Sequence, residues 1–160
     1  VSPTSFHNSV YNAPAGYWSI ATRSQLSSTS VCAYDVSFAA GLLEAATYTT
    51  VERCPVMLVA SDLPFPRPLY GIRPVDESFA AALLMTPTSH PDACMRCEIA
   101  LAPHQAITAF PATILESLRS NPAARSLPLL ALLARQAADT VRLEYTDESD
   151  LVIDCKPEGH

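Results

Sequence analysis

The sequence predicts an α/β fold: a mixed sheet with a buried central helix and covering helices. Pro55–Ser61 (PVMLVAS) is a continuous apolar run of strand length, which is typical of a strand covered on both faces. Ser37–Thr47 is apolar on nearly every side, as expected of a helix that is buried on most sides. The chain has 160 residues, enough for a real core, and we expect residues 1–160 to form a single domain.

The first part of the chain is expected to contain a strand–helix–strand unit. Val1–Thr22 is interrupted by prolines and a glycine, which disfavour a long regular element. Ser28–Ala33 contains β-branched residues and is predicted to be a short strand. Together with the apolar helix and a parallel strand at Pro55–Ser61, it would form a right-handed crossover.

The rest of the chain is predicted to alternate between a long loop, strands and helices. Asp62–Val75 carries four prolines and is predicted to be a loop, of a length that is uncommon without a functional or interface role. Apolar or alternating runs predict further strands at Phe79–Met85 and Cys94–Leu101, and a closing hairpin of Val141–Tyr145 and Leu151–Cys155. Further helices are predicted at Pro111–Ser120 and Leu127–Ala138.

Composition excludes several classes of function. The net charge of -6 and the single lysine, Lys156, argue against nucleic-acid binding and against a polybasic membrane signal. Apolar runs fall far short of the roughly 20 residues that a membrane span needs. Only 16% of the residues are charged, which indicates a surface covered by a partner subunit or by chain outside this sequence. Five cysteines, an odd number, predict reduced thiols and a cytoplasmic location.

The candidate site is the join between the predicted strand and the apolar helix, because α/β proteins bind ligands where strands end and helices begin. Asp35 lies at the expected helix N-terminus, where a carboxylate is stabilised and can cap the helix; Ser37 is the alternative cap. Cys32 lies about one turn too early for the helix dipole to activate its thiol. The sequence therefore favours a capping carboxylate at Asp35 and a buried strand thiol at Cys32.

No metal or cofactor site is predicted. Cys94 and Cys97 form a lone Cys-x-x-Cys pair with His90 before it and His104 after it, but the spacing fits no zinc-finger pattern. On a strand, those two cysteines would point to opposite faces of the sheet. With four glycines in all, no phosphate-binding loop is present either.

Three stretches resemble the N-terminal half of a β-ketoacyl synthase: Asn12–Ile20 (NAPAGYWSI), Ser28–Ala45 (STSVCAYDVSFAAGLLEA) and Pro55–Asp62 (PVMLVASD). They are similar to the short, chain-length-factor-like members of that family. The resemblance implies half of a thiolase-like fold whose first strands lie upstream of Ser2. It also implies that Asp35 occupies the position of the nucleophilic cysteine and that Ser37 matches the serine two places later.

The resemblance implies a catalytically incompetent partner or chain-length-type subunit of an active condensing enzyme in fatty-acid, polyketide or aryl-polyene synthesis. Its acyl chains would be carried on acyl carrier protein, and Phe38 would face the core or an acyl channel. The partner, or a second copy, would pair with the Ser28–Ala33 strand. Two alternatives remain open: an active acyl-transferring enzyme that uses Cys32 with His7 or His104 as base, and a scaffold domain without an acyl site.

Overall fold

A computed structural model of the chain describes residues 2–7, 9–87 and 90–158. The backbone divides into two compact units, residues 1–32 and residues 33–160. The α/β class is confirmed: helices accompany two small antiparallel sheets, one of two strands and one of three. The single domain expected over residues 1–160 stays a prediction.

The first unit contains two helices, α1 (Pro3–His7) and α2 (Ala13–Thr22). The prediction that Val1–Thr22 has no long regular element is wrong for α2; Val1 and Asn8 lie outside the described residues. Pro14 lies in the first turn of α2, where a missing backbone N–H costs no helical hydrogen bond. The residue that ends α2, Arg23, adopts a left-handed conformation with φ of 54°.

The predicted strand at Ser28–Ala33 is not formed. Residues 27–33 have no regular secondary structure. A strand exists only where its backbone N–H and C=O groups pair with a neighbour, and these residues pair with no strand in the described part of the chain. The predicted parallel crossover is therefore wrong as well.

The second unit is built around α3 (Ser37–Glu52), which is preceded by a 3₁₀ turn at Tyr34–Val36. The predicted buried helix is confirmed and runs five residues beyond Thr47. Its buried positions follow a spacing of three and four residues, which places them on one face: Phe38, Leu42, Ala45 and Thr49. Gly41 lets a neighbouring strand approach, because a Cβ there would lie 3.2 Å from Leu58 Cδ1.

The two-stranded sheet packs one face against α3. Strand β1 (Val56–Asp62) pairs antiparallel with β2 (Phe79–Met85), so the strand predicted at Phe79–Met85 is confirmed and the parallel orientation of the first strand is wrong. Burial alternates along both strands. Leu58 and Leu83 pack against the core, whereas Met57, Val59 and Leu84 are exposed. The prediction of cover on both faces is therefore wrong.

The three-stranded sheet has the order β3-β5-β4, with all strands antiparallel: β3 (Met95–Pro103), β4 (Asp139–Glu144) and β5 (Ser149–Pro157). The strand predicted at Cys94–Leu101 and the closing hairpin are confirmed. The core lies where β4 and β5 meet α3 and α5 (Leu127–Arg135), and it includes Leu132, Leu151 and Ile153, each at most 1% exposed.

The helix predicted at Pro111–Ser120 is wrong, since only a 3₁₀ turn at Glu116–Leu118 forms there. A ten-residue helix is marginal without packing, and Leu115 is 67% exposed, so its apolar side chain finds no surface to cover. Asn121 instead starts a new 3₁₀ segment, Pro122–Ser126, that leads directly into α5. The predicted loop after β1 contains one short helix, α4 (Arg67–Tyr70).

Candidate functional site

The 3₁₀ turn before α3 presents Asp35 at the entrance to the buried helix. The turn starts from Tyr34, whose φ of 55° is unusual for a residue other than glycine. Ser37 fixes this conformation: its Oγ accepts a hydrogen bond from the Ala33 N–H (2.9 Å) and donates one to the Tyr34 carbonyl (2.7 Å). The side chain of Ser37 is thus committed to the turn.

Asp35 does not cap α3. No side-chain cap hydrogen bond is formed at this helix end, so the capping interpretation is wrong for both Asp35 and Ser37. Asp35 instead pairs with two guanidinium groups: its Oδ1 accepts from Arg73, and its Oδ2 lies 3.9 Å from Arg125 Nη2. Two positive charges compete more strongly for the carboxylate than a neutral backbone N–H does.

Each arginine is held by a second group. The Arg73 guanidinium lies 3.5 Å from the centre of the Tyr34 ring, a distance at which cation–π attraction is effective. Arg125 Nη1 donates to Glu144 Oε2 at 3.2 Å. The Asp35 side chain itself is 41% exposed, so the paired carboxylate still faces solvent.

Asp62, at the end of β1, adds a second carboxylate to this network. Its Oδ2 accepts a hydrogen bond from the Ala123 N–H at 3.1 Å. Burial raises the pKa of Asp62 above its ordinary value and the nearby Asp35 charge acts in the same direction, although the Ala123 hydrogen bond and the Arg73 charge oppose them. The hydrogen bond from Ala123 and the Arg73 charge therefore do not fully offset the cost of burying the Asp62 charge.

An apolar cleft adjoins Asp35. The space inside it is about 30 Å³, which is room for about one water molecule. Its apolar lining includes Phe38, Ile107 and Phe110, and its charged lining includes Asp35 and Arg125. Phe38 is only 3% exposed and belongs to the hydrophobic core as well as to the cleft. The cleft combines an apolar wall with charged groups, but its interior in this structure is too small to hold an acyl chain.

A second cluster, around Asp150, holds one wall of this cleft. The Asp150 carboxylate is 0% exposed and accepts from the Gln105 N–H (2.8 Å) and from Arg142 (3.1 Å); it also lies 2.8 Å from His104 Nδ1. Burial alone would raise the pKa of Asp150, but these three hydrogen bonds outweigh it and hold the pKa below its ordinary value. Arg142 and Thr108, which also pair with each other, both line the cleft.

The cysteines are arranged differently from the expectation. Cys32 is exposed and lies outside any strand, so the prediction of a buried strand thiol is wrong. Cys97 and Cys155 form a disulfide, so the prediction of reduced thiols is wrong for this pair. Cys94 and Cys54 are free. In the described part of the chain, no group of three or more potential ligands could hold a metal ion.

The histidines have partners that the sequence does not reveal. The His7 ring contacts Tyr17 edge to face, and His90 Nδ1 accepts a hydrogen bond from the Asp92 N–H. His104 pairs with Asp150, 46 residues away. Arg73 and Arg125 were not predicted as site residues from the sequence. The feature that could have pointed to them is the scarcity of basic residues in this chain.

Comparison with known proteins shows where this architecture belongs. The chain resembles a ketosynthase (ApeO) in complex with its chain length factor (ApeC) from Xenorhabdus doucetiae, with 25% sequence identity and a TM-score of 0.65. The match covers 96% of this chain and 58% of the matched chain, so the sequence spans little more than half of that relative. Curated proteins give no significant match.

Two further findings complete the comparison. Among the described residues, no helix is both long enough and apolar enough to cross a membrane. Residues 1–147 match the family described as the β-ketoacyl synthase N-terminal domain, which is most of the chain. The chain therefore belongs to the β-ketoacyl synthase N-terminal domain family, with the thiolase-like fold that the sequence resemblance implied.

Proposed function

We propose that this chain is a non-catalytic, chain-length-type partner of an active condensing enzyme. The acyl chains would be carried on acyl carrier protein, in fatty-acid, polyketide or aryl-polyene synthesis in the cytoplasm. The solved relative is itself a ketosynthase in complex with its chain length factor.

The observation that carries the proposal is Asp35. The sequence resemblance implies that this residue occupies the position where condensing enzymes keep their nucleophilic cysteine. A carboxylate paired with Arg73 and Arg125 is a poor nucleophile for a thioester, because its charge is already stabilised by two cations. Such a residue supports an architectural role at the helix entrance.

The cleft beside Asp35 supports a role in limiting acyl length. Ile107 and Phe110 form part of its apolar lining, and both sit on the segment that Asp150 anchors through His104 and Gln105. An apolar wall at this position would contact an alkyl or polyene chain that reaches it and would stop the chain from extending further.

The Ser28–Ala33 segment, which has no regular secondary structure, supports pairing with a partner chain. It has no strand neighbour among the described residues of this chain. A segment without a strand neighbour in its own chain can form backbone hydrogen bonds with a strand of another subunit. We therefore propose this segment as the interface with the condensing enzyme.

The test is to co-express the chain with its condensing enzyme and acyl carrier protein, and to measure both co-elution and product length by mass spectrometry. Ile107→Trp should fill the cleft and shorten the product while leaving co-elution intact. Ile72→Trp is the matched control, because Ile72 is 82% exposed and does not line the cleft.

The alternatives give different results in the same experiment. A scaffold domain would co-elute with the enzyme, but neither tryptophan variant would alter the product. An active enzyme would extend acyl chains without the partner and would lose that activity in Cys32→Ser. Absence of both co-elution and any change in product length would contradict the proposal.

A further inference from the structure

The Cys97–Cys155 disulfide joins an edge strand to the centre of the three-stranded sheet. In the antiparallel pairing of β3 with β5, Cys97 lies directly opposite Cys155. Strand β3 has β5 on one side only, so its other edge is open within the sheet. The disulfide is thus a covalent cross-link between β3 and β5, the strand whose side chains Leu151 and Ile153 lie in the core.

The two sulfurs lie in different environments. Cys155 is 1% exposed and belongs to the hydrophobic core with Leu151 and Ile153. Cys97 is exposed, although it shares a face of the sheet with Cys155. The reason is that the core is built mainly from α3, α5, β4 and β5, and it leaves the same face of β3 partly open: Leu101 is 53% exposed.

This asymmetry determines which sulfur an incoming nucleophile can reach. Thiol–disulfide exchange needs a thiolate to approach one sulfur along the S–S axis, while the other sulfur leaves. A thiol arriving from solvent can approach Cys97, whereas Cys155 is enclosed by core side chains. The buried sulfur is accordingly the leaving group.

We propose that the Cys97–Cys155 disulfide is an exchange site for a low-molecular-weight thiol of the glutathione class, modified at Cys97. The external thiolate attacks Cys97 Sγ and forms a mixed disulfide there. The Cys97–Cys155 bond breaks, its electron pair goes to Cys155 Sγ, and that sulfur takes up a proton from water. One disulfide and one thiol are consumed and one of each is formed, so the step needs no oxidant or reductant.

The exchange releases β3 from β5. Once the bond is broken, β3 is still held by the ladder hydrogen bonds, by the hydrogen bond from Arg142 Nη1 to the Pro103 carbonyl, and by the partly buried Met95 and Ile99. Backbone amides in β3 then open more readily than those in β4, whose side chains remain in the core. The modification is therefore expected to increase local opening of the β3 edge of the sheet.

The test treats the folded full chain with reduced glutathione, traps free thiols by alkylation, and maps the peptides by mass spectrometry. We expect the cross-linked Cys97–Cys155 peptide to be lost, the glutathione adduct to appear on Cys97, and Cys155 to be recovered as a trapped thiol after unfolding. Hydrogen exchange on the same sample should show faster exchange in β3 than in β4.

Cys94→Ser and Cys32→Ser are the controls, since both residues are exposed free cysteines. Both variants should give the same adduct on Cys97, because neither thiol takes part in the step. Circular dichroism checks that the chain stays folded throughout. An adduct found on Cys155, dependence of the Cys97 adduct on Cys94, or an intact cross-linked peptide under excess thiol would each overturn the proposal.

Discussion

Two clusters in this protein, one around Asp150 and one around Asp35 and Asp62, both pair carboxylates with arginine. The pKa of Asp150 is lowered in the first cluster, whereas the pKa of Asp62 is raised in the second. Asp150 is fully buried and receives three hydrogen bonds, which hold its pKa below the ordinary value. Asp62 is only partly buried, shares Arg73 with Asp35, and has a pKa raised above the ordinary value. Both clusters contain arginine, so the presence of a cation does not explain the difference.

The difference lies in how many donors each carboxylate has. Asp150 is met by a backbone N–H, a histidine and a guanidinium, which together offset the loss of water. At the other cluster Asp35 and Asp62 share Arg73, and Asp62 keeps one backbone donor. Structural anchors are compensated in full, whereas functional sites commonly retain uncompensated charge. We therefore interpret the Asp150 cluster as a group that stabilises the fold and the cluster of Asp35 and Asp62 as the candidate functional site.

The largest effect is expected from Asp150→Asn. The substitution removes the buried negative charge with which Arg142 pairs. It also places the N–H₂ group of the new amide next to groups that donate hydrogen bonds to the Asp150 carboxylate. We expect the free energy of unfolding at pH 7 to fall by about 3 kcal/mol, as for other broken buried pairs. Urea unfolding measures this loss. Asp147→Asn, at an exposed turn position, is the control and should change stability by less than about 0.5 kcal/mol.

The difference in unfolding free energy between the wild type and Asp150→Asn is expected to depend on pH. Because the folded pKa of Asp150 is depressed, its contribution to stability is complete above the unfolded value, about 3.9, and is lost as the pH falls through the folded value. The stability difference between wild type and Asp150→Asn should therefore shrink in acid. A difference that is constant between neutral pH and pH 2 would show that charge is not what Asp150 contributes.

Asn121→Ala tests how much a buried polar side chain without charge contributes to the free energy of unfolding. Asn121 is 0% exposed; its Oδ1 accepts from the N–H groups of Ala123 and Ala124, and its Nδ2 donates to the carbonyls of Asp62 and Glu77. Losing this group leaves several buried partners unsatisfied, and we expect a loss of about 2 kcal/mol in unfolding free energy.

The matched control for that variant is Asn12→Ala. Asn12 also precedes a helix, but its side chain makes no cap hydrogen bond, so the alanine should be nearly neutral. Thermal or urea unfolding of the two variants compares them directly. Equal losses at both positions would mean that the hydrogen bonds of Asn121 to Asp62, Glu77 and the 122–126 turn do not stabilise the fold.

The sequence predicted these regions unequally. The buried helix, the strand Phe79–Met85 and the closing hairpin follow from local hydrophobic patterns, and all three are confirmed. Strand partners do not follow from such patterns, which is why the parallel crossover was wrong: β1 meets a strand 17 or more residues further along the chain. The site was predicted at Asp35, but not its pairing with Arg73, because that contact spans 38 residues and a loop without periodicity.

Asp35→Asn should have a smaller effect on stability than either buried variant. The Asp35 side chain is 41% exposed and its ion pairs face solvent, so we expect a loss of about 0.5–1 kcal/mol by urea unfolding. Glu116→Gln is the benchmark, since Glu116 forms an exposed pair with Arg119 and is 86% exposed. A loss as large as that of Asp150→Asn would make Asp35 a folding anchor and would remove the distinction between the clusters.

The smallest change, and the one of opposite sign, is expected from Asp62→Asn. An asparagine oxygen can still accept the Ala123 N–H, while the charge that burial and Asp35 disfavour is removed. Because the folded pKa of Asp62 is raised, ionisation costs stability above that pKa, and the cost disappears below the unfolded value. We expect the variant to gain about 0.5 kcal/mol at pH 7 and nothing at pH 2, as measured by urea unfolding. A loss at pH 7 would mean that Arg73 needs the Asp62 charge, and this cluster would then be as fully compensated as the one around Asp150.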